Sequence, residues 1–195
     1  MNLYINQLEK FKSEGQFRSI PSAFRNAEML NLSSNDYLGL AEDKTLQDTF
    51  LARLSHENHL FSSSSARLLT GNFEAHEMLE SVLTSLYHKP VLAFNSGYHA
   101  NVGILPAIAD KRTLILADKL VHASLIDGIR LSTATNIRFR HNDYEQLEHL
   151  LETHHSDFER VIIVTESIFS MDGDEADVPR LVALKNRYAN VLLYL

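Results

Sequence analysis

The chain is expected to fold as an α/β domain, a mainly parallel sheet with flanking helices. Two observations lead there. Short apolar runs recur at Val91–Phe94, Thr113–Ala117, Ile137–Phe139, Val161–Thr165 and Val191–Leu195. Between them lie segments with helical periodicity, near 98–109, 122–132, 143–153 and 178–189. Buried-type strands alternating with helices form βα units, and such units build parallel sheets. In such sheets ligands bind beyond the carboxyl ends of the strands, so the residues just after each apolar run are the first candidates for function.

The amino-terminal part is read element by element. Residues 3–14 suggest a short amphipathic helix with Leu3, Leu8 and Phe11 on one face and Gly15 as its stop. Residues 16–45 are irregular apart from one expected strand near Met29–Leu32. A helix is expected over 44–59, followed by a polar loop, Phe61-Ser-Ser-Ser-Ser-Ala-Arg67. Asn72 is placed to cap a helix over about 73–88, with Met78, Leu79, Val82 and Leu86 as its inner face. The domains are drawn as 1–45, a helix and arm, and 46–195, the first part of a larger α/β domain.

Composition narrows the function classes. The chain has 195 residues, 45% hydrophobic and 22% charged, ordinary for a globular domain with a core. A net charge of −7 argues against a nucleic-acid footprint, which needs a basic face. With no cysteine, disulfides, thiol nucleophiles and thiolate metal sites are excluded. No apolar run approaches the ~20 residues of a membrane span, and the first residues lack a signal peptide's basic and apolar regions. A cytoplasmic location with no membrane partner is expected.

Four segments carry candidate chemistry. Asn95-Ser-Gly-Tyr-His-Ala-Asn101 follows the first apolar run. A small residue and a glycine at a helix start present free N–H groups to an anion, and Tyr98 offers a ring or a hydroxyl; a plain βα turn reads the same way. Asp118-Lys-Leu-Val-His122 follows the second run, where His122 could act as acid, base or stacking ring, or simply cap a helix. Thr165-Glu-Ser-Ile-Phe-Ser170-Met-Asp-Gly-Asp174 follows another run and offers a hydroxyl and carboxylates, or a solvated turn. Asn35, in Leu32-Ser-Ser-Asn35-Asp-Tyr37, has an amide that could hold a carboxylate or form an Asx-turn. Other chemistries find no support. His76-Glu-Met-Leu-Glu80 lacks the second histidine of the zinc-protease spacing, and no Walker loop, G-x-G-x-x-G or G-x-S-x-G is present. His149, His154 and His155 are read as a solvated helix end, so no metal is expected.

Taken in order, the segments resemble one family. Ser34-Asn-Asp-Tyr-Leu-Gly-Leu40, Ala66-Arg-Leu-Leu-Thr-Gly-Asn72 with His76 and Glu80, Ser96-Gly-Tyr-His-Ala-Asn101, His122-Ala-Ser-Leu, His141-Asn-Asp143 and Thr165-Glu-Ser-Ile-Phe-Ser-Met-Asp-Gly173 are similar to the α-oxoamine synthases. The His-Ala-Ser and Phe-Ser-Met-Asp-Gly segments are the specific ones. The resemblance runs from about Arg18 to Leu195. It implies an aspartate-aminotransferase-like (type I) fold, a homodimer and the cofactor pyridoxal 5'-phosphate (PLP). The implied reaction is a decarboxylative condensation of an amino acid, L-alanine foremost, with an acyl thioester, a pimeloyl thioester foremost. Gly97 and Tyr98 would lie at the cofactor, with backbone groups holding its phosphate. His122 would stack on the ring as the catalytic residue, Ser170 would bond the ring's phenolic oxygen, Asn35 would help hold the amino-acid carboxylate, and Arg18 would meet the acyl substrate. Glu166 and Asn142 take supporting roles. A glycine-using member of the family and a lysine-free subunit that pairs with an active one remain alternatives.

The sequence departs from the family in two places. Ser62–Ser65 stand where glycines are usual. The family's Asp-x-x-His segment and its Schiff-base lysine are expected beyond Leu195, so the sheet is expected to be incomplete at its carboxyl end, with an exposed apolar edge.

Overall fold

The structure, a computed structural model, describes residues 3–20, 31–54 and 62–195. It divides into two compact units, Met1–Ser63 and Ser64–Leu195.

The first unit holds helices α1 (Leu3–Ser13) and α2 (Lys44–Leu54). The apolar face of α1 is open to solvent, Leu3 being 79% exposed. Both α1 and α2 lack buried residues. Between them Asp36 organises a tight loop. Its two carboxylate oxygens accept the N–H groups of Leu40 and Ala41 at 2.8 and 3.0 Å. Asp43 then caps α2 by accepting the N–H of Leu46 at 2.9 Å. Of the strand expected at Met29–Leu32, Met29 and Leu30 lie outside the described residues. Asn31 and Leu32 are not in a strand: the Asn31 side chain accepts the N–H of Ser33 and makes a local turn instead. The end of the helix expected over 44–59 lies outside the described residues beyond Leu54.

The second unit begins with α3 (Glu74–Tyr87) and α4 (Gly97–Ile108). Asn72 does not cap α3. Phe73 occupies that position, and its N–H donates to the His76 ring. The Asn72 amide is engaged elsewhere, accepting from Arg67 Nε and donating to Glu77. Met78, Leu79, Val82 and Leu86 are exposed, so the amphipathic pattern of α3 is real but unpartnered among the described residues. Val91–Phe94 is extended coil, not a strand: the N–H of Ala93 is taken by the Glu80 carboxylate at 2.8 Å instead of by a sheet partner.

Thereafter the expected rhythm holds. β1 (Thr113–Asp118), α5 (Ala123–Leu131), β2 (Thr135–Phe139), α6 (Tyr144–His154), β3 (Arg160–Val164), α7 (Val178–Asn186) and β4 (Val191–Tyr194) follow in sequence. The four strands are parallel, in the order β2-β1-β3-β4. Caps begin the helices: Asp143 accepts from Gln146 at α6 and Asp177 from Arg180 at α7, each at 2.9 Å. Pro179 at the start of α7 forgoes an N–H that has no helical partner there.

Alternation along the strands makes two apolar layers. Ile115, Ala117, Ile162 and Val164 face Leu105, Leu125 and Ile129 of α4 and α5. Leu114, Leu116, Val161 and Ile163 face Leu147 and Leu151 of α6 and Leu181 and Leu184 of α7. β1 is buried along its whole length, as a strand covered on both faces must be. The chain leaves β1 for β2 on one side and returns past it to β3 on the other. The strand order therefore reverses between β1 and β3, which opens a crevice at their carboxyl ends.

Candidate functional site

The crevice is a cleft of about 280 Å3 lined by Gly97, Tyr98, Asn101, His122, Ser124, Leu125, Thr165, Glu166, Tyr194 and Leu195. Each wall comes from an element that begins or ends there. Gly97, Tyr98 and Asn101 belong to the first turns of α4. His122 and Ser124 lead into α5 from β1. Thr165 and Glu166 follow β3, and Tyr194 closes β4.

α4 starts where Ser96 caps it: the Ser96 hydroxyl accepts the N–H of His99 at 3.1 Å. The Gly97 and Tyr98 N–H groups stand in the first turn, where no intrahelical acceptor exists. Space beside Gly97 is open, since an added Cβ would meet nothing within 4 Å. The helix end thus presents free donors and the positive end of its dipole to the cleft. The Tyr98 hydroxyl is already committed, donating to Asp127 at 3.1 Å, and that bond raises the phenol's pKa. What Tyr98 offers the cleft is its ring and its N–H.

His122 is exposed at the mouth of the cleft and caps α5 with its own ring, Nδ1 accepting the N–H of Ser124 at 3.2 Å. Its backbone N–H donates to Glu166. This ties the β1–α5 connection to Glu166, which follows Thr165 after β3. Both Ser124 and Thr165 are buried.

A second cluster stands at the end of β1. Asp118 is fully buried and accepts three hydrogen bonds, from the N–H of Leu120 at 2.8 Å, the N–H of Asn142 at 2.9 Å and His141 Nδ1 at 3.0 Å. The other ring nitrogen of His141 reaches Asp174 at 3.1 Å. Burial opposes the charged imidazole, but the two aspartates outweigh it and raise the His141 pKa. Asp174 belongs to a small hairpin, 167–176, closed by a bridge between Ile168 and Glu175 and turning at Gly173, whose φ of 75° suits glycine. Phe169 is its buried anchor and meets the His141 ring edge-on at 4.5 Å. Ser170 sits exposed in this turn.

Of the residues singled out in the sequence, Gly97, Tyr98 and His122 meet in one cleft. Ser170 is on the braced hairpin and is not among the cleft-lining residues. Arg18 and Asn35 belong to the first unit, where both are exposed. Sequence reasoning assigned no role to Asn101, Ser124, Tyr194 or the Asp118–His141–Asp174 brace. Two signals were available: the His-x-Ser spacing of a side-chain cap, and one hydroxyl-bearing residue at the carboxyl end of an apolar strand.

Comparison with known proteins places the chain in a family. A family model described as aminotransferase class I and II matches residues 27–195. A protein of Glaesserella parasuis serovar 5 (strain SH0165) named "Putative 8-amino-7-oxononanoate synthase" is 55% identical over 100% of this chain and 53% of its own length. The solved structure of a serine palmitoyltransferase variant from S. paucimobilis with a bound PLP-myriocin aldimine is 25% identical, with a TM-score of 0.78 over 99% of this chain and 54% of that one. An 8-amino-7-oxononanoate synthase from Francisella tularensis, 24% identical, shares the fold with a TM-score of 0.67 over 86% of this chain and 45% of its own. The chain spans about half the length of the curated relatives it matches.

Proposed function

The chain belongs to the class I and II aminotransferase family, and on that premise we propose that it is the first part of an 8-amino-7-oxononanoate synthase. Its sheet and flanking helices have the aspartate-aminotransferase-like arrangement of PLP enzymes, and residues 46–195 are read as the first part of the PLP-binding domain. The reaction proposed is the condensation of L-alanine with a pimeloyl thioester, with loss of carbon dioxide, in biotin synthesis. The enzyme is read as a homodimer. The observation that carries the reading is the meeting of an open helix N-terminus and a flat heteroaromatic ring in one cleft at the point where the strand order reverses.

The donor set suits PLP. Gly97 and Tyr98 offer two backbone N–H groups and a helix dipole to a phosphate, with no side chain in the way at Gly97. His122 offers an imidazole face to a pyridine ring. PLP bound there would supply an electron sink for chemistry at the α-carbon of an amino acid. His122 would fix the orientation of that ring by lying against it and would keep water from that face. Ser170, which lies on the hairpin and is not among the cleft-lining residues, is proposed as a donor to the ring's phenolic oxygen. Asn35 and Arg18 are proposed for the amino-acid carboxylate and the acyl group, respectively. No lysine lines the cleft among the described residues. We read the Schiff-base lysine as lying outside these 195 residues and the chain alone as inactive.

Titration of the purified chain with PLP, followed by induced visible circular dichroism, tests the reading. Saturable binding is expected, weakened about tenfold or more by His122→Ala (~1.4 kcal/mol or more). His122→Asn, which can still cap α5, should behave as the alanine variant does if the ring is what matters. Absence of binding, or binding indifferent to both variants, would refute it. Sustained product release from L-alanine and pimeloyl-CoA would refute the inactivity of the chain alone.

A further inference from the structure

We propose that Asn101, Ser124 and Tyr194 are positioning residues that form a one-way hydrogen-bond relay, fixing the tautomer and the ring plane of His122. The inference rests on the reading of His122 as the ring that lies against PLP.

The direction of the relay follows from one group that cannot reverse. The backbone N–H of Ser124 points at His122 Nδ1 at 3.2 Å, and a backbone N–H can only donate. Nδ1 must therefore accept, which in a neutral imidazole puts the proton on Nε2. The Ser124 hydroxyl is also at Nδ1, at 2.8 Å. Facing a lone pair, it must donate, which leaves its own lone pairs for another donor. Asn101 Nδ2 supplies that donor at 2.9 Å. This choice turns the amide so that Oδ1 faces Tyr194, whose hydroxyl donates at 2.8 Å. Burial pushes the Tyr194 phenol up, so it keeps the proton the relay needs. Reversing any single link would set donor against donor or acceptor against acceptor.

The relay crosses three elements: Tyr194 ends β4, Asn101 lies on α4 and Ser124 on α5. Ser124 is 1% exposed, so water does not compete for its hydroxyl. Two bonds converging on Nδ1 fix the imidazole plane as well as its proton. The ring then shows the cleft a neutral face with its only N–H at Nε2. A ring that must lie flat on another benefits from being held before the other arrives.

Asn101→Asp is the decisive variant, because it keeps the size and replaces the one amide donor by an acceptor. The Ser124 hydroxyl would then donate to the carboxylate and present a lone pair to Nδ1, drawing the imidazole proton toward Nδ1 against the Ser124 backbone N–H. Long-range nitrogen–proton correlation spectra of the [15N]histidine-labelled chain read the tautomer directly, with His122→Asn assigning the signal. A single Nε2–H form is expected in the unaltered chain, and a substantial Nδ1–H fraction in Asn101→Asp. Tyr194→Phe, which removes one hydroxyl and frees the Asn101 amide to turn, should shift the tautomer the same way by less. It decides the matter should Asn101→Asp fail to fold. A proton on Nδ1 in the unaltered chain, or the same tautomer in all folded variants, overturns the relay. PLP titration of the same samples reports separately on the cleft. PLP binding with an unmoved tautomer refutes the relay alone; the expected tautomer shift without PLP binding upholds the relay and refutes the cofactor reading.

Discussion

Gly128 is where the packing of this unit is most exposed to a single atom. It lies buried in α5, and a Cβ built on it would stand 2.4 Å from the carbonyl oxygen of Asn101, 3.1 Å from that carbonyl's carbon and 3.0 Å from Leu105 Cδ1. The nearest obstacle is backbone, which cannot rotate away, so Gly128→Ala must push α4 and α5 apart by roughly 1 Å to restore a normal contact. Overpacking of this kind costs about 1–3 kcal/mol. The intrinsic gain of alanine over glycine in a helix interior returns about 1 kcal/mol. Because the clash is with a rigid group, the upper part of the range applies, and a net loss of about 2 kcal/mol is expected. For a chain of this size that lowers Tm by roughly 4–8 °C. The same displacement should part Asn101 from Ser124, whose bond of 2.9 Å bridges the two helices. Urea unfolding of the chain and its Gly128→Ala variant, followed by far-ultraviolet circular dichroism, measures the loss. An unchanged or raised stability would refute the close crossing, since only the helix-propensity gain would then be felt.

Other consequences follow from the clusters at the strand ends. Asp118→Asn leaves one acceptor oxygen where three donors converge, and turns an amide N–H toward them. With Asp118 fully buried, the cost should be about 1–3 kcal/mol in urea unfolding, and a change under about 0.5 kcal/mol would refute the accounting. His141 has a raised pKa. Its contribution to stability is therefore complete below the ordinary imidazole value of about 6.5 and is lost as pH rises through the raised one. Proton NMR should give a midpoint above that ordinary value, with resonances of the 167–176 hairpin moving in step; a midpoint at or below it would show that burial, not the aspartates, dominates. Glu80 is held down to about 2, first by Arg67, which grips it through 2.7 and 2.9 Å bonds, and then by the N–H of Ala93. A depressed carboxylate keeps its contribution above its unfolded value and loses it only as pH falls through the lowered one. The Ala93 amide should therefore resist exchange throughout the ordinary carboxylate range in the unaltered chain and lose that protection in Glu80→Gln.

Much of the second unit was legible in the sequence because each signal there is local. Thr113–Ala117 and Val161–Thr165 are continuous apolar runs, and β1 and β3 are indeed covered on both faces. Val91–Phe94 has the same local composition and is not a strand. Pairing is a property of neighbours, and here the free N–H of Ala93 finds Glu80 instead. Asn72 shows a similar limit: its type suits a cap, yet Arg67 and Glu77 claim its amide and His76 satisfies the helix start. In α1 and α3 the periodicity was read correctly, but periodicity names a face, not what covers it. Those faces are exposed.

The candidate site divides along the same line. Gly97 and His122 were recognisable because a glycine at a helix start and a histidine after an apolar run are statements about adjacent residues. Asn101, Ser124 and Tyr194 act only through one another, across separations of 23 and 93 residues, and no window of sequence contains such a pair. The brace of Asp118, His141 and Asp174 is equally non-local, yet it gives the 167–176 hairpin its place. The turn that carries the exposed Ser170 is anchored by Phe169 beneath it and tied to His141 through Asp174. Because His141 joins that hairpin to the carboxylate at the end of β1, the position of Ser170 is coupled to the strand whose following loop carries His122. A weakened brace should therefore disturb the Ser170 turn before it disturbs the cleft, whose ring is held separately through Ser124.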